Sequence, residues 1–160
     1  MTIAVGDRIP DVKVQLPGPN GPEAAQTADL LGHGTVVLFG LPGAFTPTCS
    51  DHHLPGFVLR SEDIRAKGVD VIACVSVNDA FVMKAWGEAN EVDGAVTMIA
   101  DGSALFTKAL GLDVDLTGGG LGVRSKRYAA VLRDGQVTHL AVEETLGLDV
   151  SSADSVLAVL

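Results

Sequence analysis

An α/β fold with a mixed central sheet flanked by helices, preceded by an N-terminal extension, is the class this sequence predicts for one domain over residues 1–160. Three observations predict it. Short, largely apolar runs recur at 36–39, 69–77 and 96–100, the second rich in β-branched residues, the mark of strands buried on both faces. Stretches with helical spacing separate them. Finally, Arg133-Asp134-Gly135-Gln136 stands between two apolar runs, a strong hairpin signal. Alternating strands and helices build a parallel sheet, and a late hairpin adds an antiparallel edge.

Residues 1–33 read as irregular, with Pro10, Pro17, Pro19 and Pro22, except that Val12-Lys13-Val14-Gln15-Leu16 alternates as a half-exposed strand does. The 36–39 run ends at Gly40. A turn over 41–45 leads into helical spacing that reaches Lys67, where Pro55-Gly56 is expected to kink or break the helix. Gly68 closes that helix and 69–77 is the second buried strand. Asn78 or Asp79 caps a helix through Phe81, Val82, Ala85 and Trp86. After the 96–100 strand, Asp101-Gly102-Ser103 starts a helix across Leu105, Phe106, Ala109 and Leu110. The glycine run 118–122 lacks the Lys-Ser/Thr ending of a phosphate loop and is read as a flexible connection delivering residues 124–127. The hairpin strands are 128–132 and 137–142, and Ser151-Ser152 caps a short C-terminal helix. The resulting order is β–α–β–α–β–α–β–β–α.

Composition removes whole classes of function. The 160 residues are 47% hydrophobic and 19% charged, which excludes intrinsic disorder. A net charge of −9 argues against nucleic acid and against an anionic membrane surface as partners. The longest stretch free of Asp, Glu, Lys and Arg, 34–50, is interrupted by Gly40, Pro42, Gly43 and Pro47, so no membrane span is expected. Two cysteines, Cys49 and Cys74, are too few for a secreted disulfide scaffold, and no signal core opens the chain. A reducing compartment is expected: the cytoplasm, or the stroma of a plastid or other organelle if a transit peptide has been removed.

The chemistry concentrates in Pro42-Gly43-Ala44-Phe45-Thr46-Pro47-Thr48-Cys49. Thr46 followed by Pro47 matches an N-cap followed by proline at the first helical position, which puts Cys49 third in the first turn. Unpaired N–H groups and the positive end of the helix dipole favour a thiolate there. Thr46 occupies the first-thiol place of a Cys-x-x-Cys pattern, so the chemistry rests on one sulfur. His52 and His53 follow Cys49 at spacings of three and four, but Cys74, His33 and His139 are unpaired, so no metal site is expected and both histidines are read as solvated or packed. A Cys49–His139 hydrolase pair lacks an orienting group.

Pro42-x-x-x-Thr46-x-x-Cys49 resembles the peroxiredoxin active-site motif, and the string from Pro42 to Ser50 is similar to the plant type II subfamily. Similarity continues through His53-Leu54-Pro55-Gly56-Phe57, the stretch from Val75 to Val82, Trp86, and the stretch from Gly122 to Tyr128. The resemblance implies a thioredoxin-like fold and reduction of hydrogen peroxide and organic hydroperoxides through a cysteine sulfenic acid, with no cofactor. It implies that Cys49 is the peroxidatic thiol, that Thr46 orients the peroxide, that Arg127 is the active-site arginine and that Pro42 shields the pocket. It also implies a homodimer and recycling by glutathione with glutaredoxin, or by thioredoxin. Cys74, inside an apolar run, reads as a buried inert thiol, with a resolving cysteine as the rival reading. From another class, a non-enzymatic redox sensor switched by Cys49 oxidation is the alternative. A dithiol oxidoreductase is disfavoured by the missing second thiol.

Overall fold

The apolar runs become the centre of a seven-stranded sheet in the computed structural model, which describes residues 1–160. The strands are β1 (Lys13–Gly18), β2 (Gly21–Gln26), β3 (Thr35–Leu41), β4 (Val71–Ser76), β5 (Thr97–Ala100), β8 (Tyr128–Arg133) and β9 (Gln136–Val142), ordered β2-β1-β5-β4-β3-β8-β9. β3, β4 and β5 run parallel, while β8 and β9 extend one side antiparallel and β1 and β2 the other. Helices α1 (Thr27–Leu31), α2 (Leu54–Leu59), α3 (Ser61–Ala66), α4 (Ala80–Ala89), α5 (Leu105–Leu110) and α6 (Ala153–Leu157) complete the fold. A separate two-stranded arm pairs β6 (Asp113–Asp115) with β7 (Val123–Ser125).

The reason the central strands carry no polar alternation is visible in their contacts. Val37, Phe39 and Leu41 of β3, with Ile72 and Cys74 of β4, enter one apolar cluster that includes Leu54, Phe57, Met83 and Trp86. Their neighbours Val36, Leu38, Ala73 and Val75 enter a second cluster on the opposite face, with Leu31, Phe106 and Leu110. Side chains alternate across a strand, and here both faces are covered, so the interior positions are apolar and the polar residues Thr35, Ser76 and Thr97 stand at strand ends.

The expected caps are in place for three elements. The Asp79 carboxylate accepts from the Val82 amide at the start of α4, and the Ser152 hydroxyl accepts from the Ser155 amide at the start of α6. Asp101 reaches further, accepting from the amides of Phe106 and Thr107 at the start of α5. The hairpin turn is built as the Asp-Gly pair requires, with Asp134 and Gly135 both at positive φ (49° and 80°).

Three expectations are corrected. The segment 21–26, read as irregular, is strand β2: it lies at the sheet edge, where Pro22 can sit without removing a needed ladder bond. Pro55-Gly56 does not break the helix. A wide π-helical turn over Cys49–His53, closed by the Leu54 amide on the Cys49 carbonyl, precedes Pro55, whose missing N–H falls near the junction of the two helical forms. The break comes instead at Arg60, between α2 and α3. The glycine run 118–122 belongs to the tip of the β6–β7 arm, tied by the Leu116 amide on the Gly122 carbonyl and the Leu121 amide on the Leu116 carbonyl.

One contact fixes how closely β3 and β8 approach. Gly40 pairs with Tyr128, and a Cβ at Gly40 would overlap the Tyr128 ring, which is fully buried. Gly40→Ala is expected to lower stability by about 1–3 kcal/mol, the usual cost of overpacking a filled core. A urea unfolding midpoint unchanged from wild type would contradict this.

Candidate active site

Sheet register assembles the site. Because Gly40 lies opposite Tyr128, the turn that follows β3 faces the residue that precedes β8, which is Arg127. The turn after β3 runs Pro42 to Thr46, with Phe45 held at φ +64°, and the helical run starts at Pro47. Cys49 is therefore the third helical residue, in the position the sequence predicts. Thr46 stands at the N-cap place, its carbonyl accepting from the Ser50 amide at 2.9 Å. Its side chain does not cap, which corrects the sequence reading: the hydroxyl donates to the Gly43 carbonyl at 2.7 Å. With its proton committed there, Thr46 Oγ1 presents acceptor lone pairs to anything beside it.

The turn is braced from two sides. Asn78 Oδ1 accepts from the Ala44 amide at 2.9 Å and from the Ser76 hydroxyl at 2.6 Å. From the β6–β7 arm, Arg124 Nη1 donates to the Pro42 carbonyl at 3.1 Å. Trp86 Nε1 donates to Ser50 Oγ at 3.0 Å and ties the π-helical turn to α4.

At the centre, Arg127 Nη2 donates to Cys49 Sγ at 3.2 Å. Both residues are buried, Cys49 completely and Arg127 at 2% exposure. The other guanidinium nitrogens are also used: Nε donates to the Leu146 carbonyl at 3.2 Å, and Nη1 meets His53 Nδ1 at 2.9 Å. His53, 1% exposed, turns its Nε2 to the Ser151 carbonyl at 3.0 Å and packs its ring near Phe39 and Phe57. Burial first, then the neighbouring Arg127 charge, pushes His53 down to about 3. Glu143 anchors the same loop, its Oε2 accepting from the Asp149 and Ser151 amides and the Ser151 hydroxyl. Burial alone would raise the Glu143 carboxyl, but these hydrogen bonds overcome it and hold the group below the usual carboxylate range.

A cavity of about 160 Å³ opens on this cluster, bounded by Pro42, Thr46 and Arg127 and rimmed by Leu116, Leu121 and Leu146. A wider groove of about 850 Å³ runs along Asn78, Asp79, Asp101 and Ser103, and contains neither Cys49 nor Arg127. Arg127, through its bond to Cys49, and not the size marks the smaller cavity as the site.

The structure thus brings together Pro42, Thr46, Cys49 and Arg127, all singled out in the sequence. Cys74 is buried on β4, pairs in register with Phe39, is unbonded to Cys49, and has its thiol pushed up by burial. His52 is exposed, whereas His53 is neither solvated nor merely packed: it holds Arg127. Sequence reasoning missed His53, Glu143 and the three leucines. For His53 a signal existed, since a spacing of four from Cys49 returns it to the same side of a helix. For the leucines there was none, because they come from two loops remote from Cys49 in the chain, Leu116 and Leu121 from the β6–β7 connection and Leu146 from the segment after β9.

A sulfur bonded by a buried guanidinium, where that guanidinium and Thr46 line a small cavity, is equipped to react as a nucleophile with a small electrophile. The redoxin family model matches residues 4–157. The chain is 48% identical to peroxiredoxin-2B of Arabidopsis thaliana over 99% of its length and 98% of that protein's. It is also 48% identical to the chloroplastic peroxiredoxin-2E-2 of Oryza sativa, covering 99% of this chain and 73% of that one. The crystal structure of reduced Prx3 of Vibrio vulnificus in complex with hydrogen peroxide superposes with a TM-score of 0.94 at 48% identity, covering 99% of each chain. The chain belongs to the redoxin family, in its peroxiredoxin branch. It is a thiol-dependent peroxidase with the thioredoxin-like fold of that family.

The buried His53 gives stability a defined pH dependence. Its folded value lies far below its ordinary one, so between about 3 and 6.5 the unfolded chain binds a proton that the folded chain excludes. Stability is therefore full above that window and falls as pH drops through it, by up to ~1.4 kcal/mol per pH unit. Glu143, lowered in the fold, adds to the loss as pH falls through the carboxylate range. Urea unfolding is expected to show about 2 kcal/mol less stability at pH 5 than at pH 7. Equal stability at the two pH values would contradict a buried neutral His53.

Proposed function

We propose that Cys49 is the peroxidatic thiol, that Thr46 and Arg127 act on the bound peroxide, and that both hydrogen peroxide and organic hydroperoxides are substrates. The observation that carries this reading is the 3.2 Å contact between the buried Cys49 Sγ and Nη2 of Arg127, the residue that also lines the cavity. The thiolate attacks one peroxide oxygen; the sulfur–oxygen bond forms as the oxygen–oxygen bond breaks, and the leaving oxygen departs as water or alcohol after taking a proton. Two electrons pass from sulfur to peroxide, leaving a sulfenic acid. Negative charge spreads over sulfur and both oxygens in the transition state, and Arg127 donates into that charge. Thr46 Oγ1, its proton held by Gly43, accepts from the peroxide O–H and aligns it. Pro42 walls the cavity, and the leucine rim accommodates the alkyl group of an organic hydroperoxide.

Recycling uses an external thiol: glutathione with glutaredoxin, or thioredoxin. The first thiol attacks the sulfenic sulfur and expels water, and a second thiol releases Cys49 by thiol–disulfide exchange. Cys74 is not the resolving partner in this reading. It lies mid-strand under an apolar layer, its thiol held protonated by burial, so reaching Cys49 would require local unfolding. The protein acts as a homodimer; exposed Phe45 and Phe81, at 56% and 69%, supply apolar surface on the turn after β3 and on α4 for such a contact. The reducing compartment is the cytoplasm or a plastid stroma, in keeping with two free cysteines and with the chloroplastic names among its relatives.

Cys49→Ser is expected to abolish peroxide turnover with glutathione and glutaredoxin while leaving the circular dichroism spectrum unchanged. Near wild-type turnover by this variant would overturn the assignment. Thr46→Val and Arg127→Ala are each expected to slow the peroxide step by roughly 100- to 1,000-fold, and Thr46→Ser much less, since serine keeps the hydroxyl. Stopped-flow rates that rank valine with serine would remove the Thr46 role. Cys74→Ser is expected to retain most turnover, with mass spectrometry after one equivalent of peroxide showing Cys49 sulfenic acid or its glutathione adduct. A stoichiometric Cys49–Cys74 disulfide, with turnover lost in Cys74→Ser, would make Cys74 the resolving residue.

A further inference from the structure

We infer that His53 is a positioning residue for this reaction: a neutral imidazole, held by the Ser151 carbonyl, that fixes the Arg127 guanidinium against Cys49 without neutralising its charge. The inference rests on the peroxidase reading above.

Hydrogen-bond logic sets the tautomer. Every guanidinium nitrogen donates and none accepts, so His53 Nδ1, 2.9 Å from Arg127 Nη1, must offer its lone pair. The Ser151 carbonyl only accepts, so Nε2, 3.0 Å away, must carry the proton. The ring therefore has one role at each nitrogen and no vacancy for a second proton.

The choice of partner matters more than its presence. A buried arginine is normally matched by a carboxylate. Here the acceptors around Arg127 are the Leu146 carbonyl, the His53 ring and the Cys49 sulfur. The nearby carboxylate, Glu143, spends Oε2 on Asp149 and Ser151 and forms no ion pair with Arg127. Glu143 thus holds Ser151, Ser151 holds His53, and His53 holds Arg127. The guanidinium is oriented by neutral groups, and its positive charge is left for the sulfur and for the negative charge that develops on the peroxide.

The test separates orientation from charge. Asn Oδ1 overlies the His Nδ1 position and accepts from Arg127; Asp adds a negative charge at the same place; Leu removes the acceptor. The pH dependence of Cys49 alkylation by iodoacetamide is measured alongside the stopped-flow rate with hydrogen peroxide in the full chain. H53N is expected to keep the wild-type alkylation midpoint and a peroxide rate within about fivefold of wild type. H53D and H53L are expected to move the midpoint up by about one pH unit and to slow the peroxide step at least tenfold. A midpoint unmoved in H53D and H53L would overturn the inference, even if peroxidase activity proved the assigned function correct. Alkylation needs no peroxide, so a failed peroxidase reading would leave its own, different signature. Should a variant fail to fold, ¹⁵N NMR of the reduced wild-type protein decides: the Nε2–H tautomer, unchanged from pH 5 to 8, supports the role, and an Nδ1–H or doubly protonated ring overturns it.

Discussion

A guanidinium buried with no carboxylate beside it is the constraint on which the site depends. Removing an unpaired charge from water costs several kcal/mol, and the fold keeps Arg127 inside only by satisfying its donors with the Leu146 carbonyl, His53 and the Cys49 sulfur. The charge then has one place to act. It favours the ionised sulfur before reaction and the electron-rich oxygens during it, so a single arrangement prepares the nucleophile and stabilises the transition state. A carboxylate at the same distance would satisfy the arginine and silence it.

The architecture delivers these groups by strand pairing, not by proximity in the chain. Cys49 and Arg127 are 78 positions apart, and His53 and Ser151 are 98 apart. The antiparallel register of β3 and β8 sets the turn after one strand beside the start of the other. The Arg127 carbonyl in turn accepts from the Glu143 amide, which joins the site to the segment following β9. Sheet strands that are apolar on both faces form the rigid part, and the reactive groups sit on the segments that leave them.

Much of this was legible from the residues. All-apolar runs gave the central strands, Asp-Gly gave the hairpin, and Thr-Pro followed by a first-turn cysteine gave the reactive position. What was not legible has physical causes. Strand β2 carries Pro22 and little alternation because an edge strand needs neither a full ladder nor two buried faces. The helix through Pro55 survives because the wide turn before it absorbs the irregularity, and a propensity rule has no knowledge of that turn. His53 read as a solvated or packed histidine because its partners, Arg127 and Ser151, are remote in sequence. The Thr46 hydroxyl was read as a cap, whereas its bond is a donation to the Gly43 carbonyl, made inside the turn before the helix.

The brace from Arg124 to the Pro42 carbonyl has an evolutionary consequence. A Cβ at Gly43 would collide with Arg124 Nη1, so a side chain at 43 is admissible only once the arginine has moved or shortened. Shortening it would in turn free the Pro42 carbonyl and loosen the turn that carries Thr46. Two positions on different elements, 81 residues apart, are therefore not free to drift independently. Substitution at either is conditional on the state of the other, and a lineage that loses the arginine first passes through a chain whose turn is held by Asn78 alone.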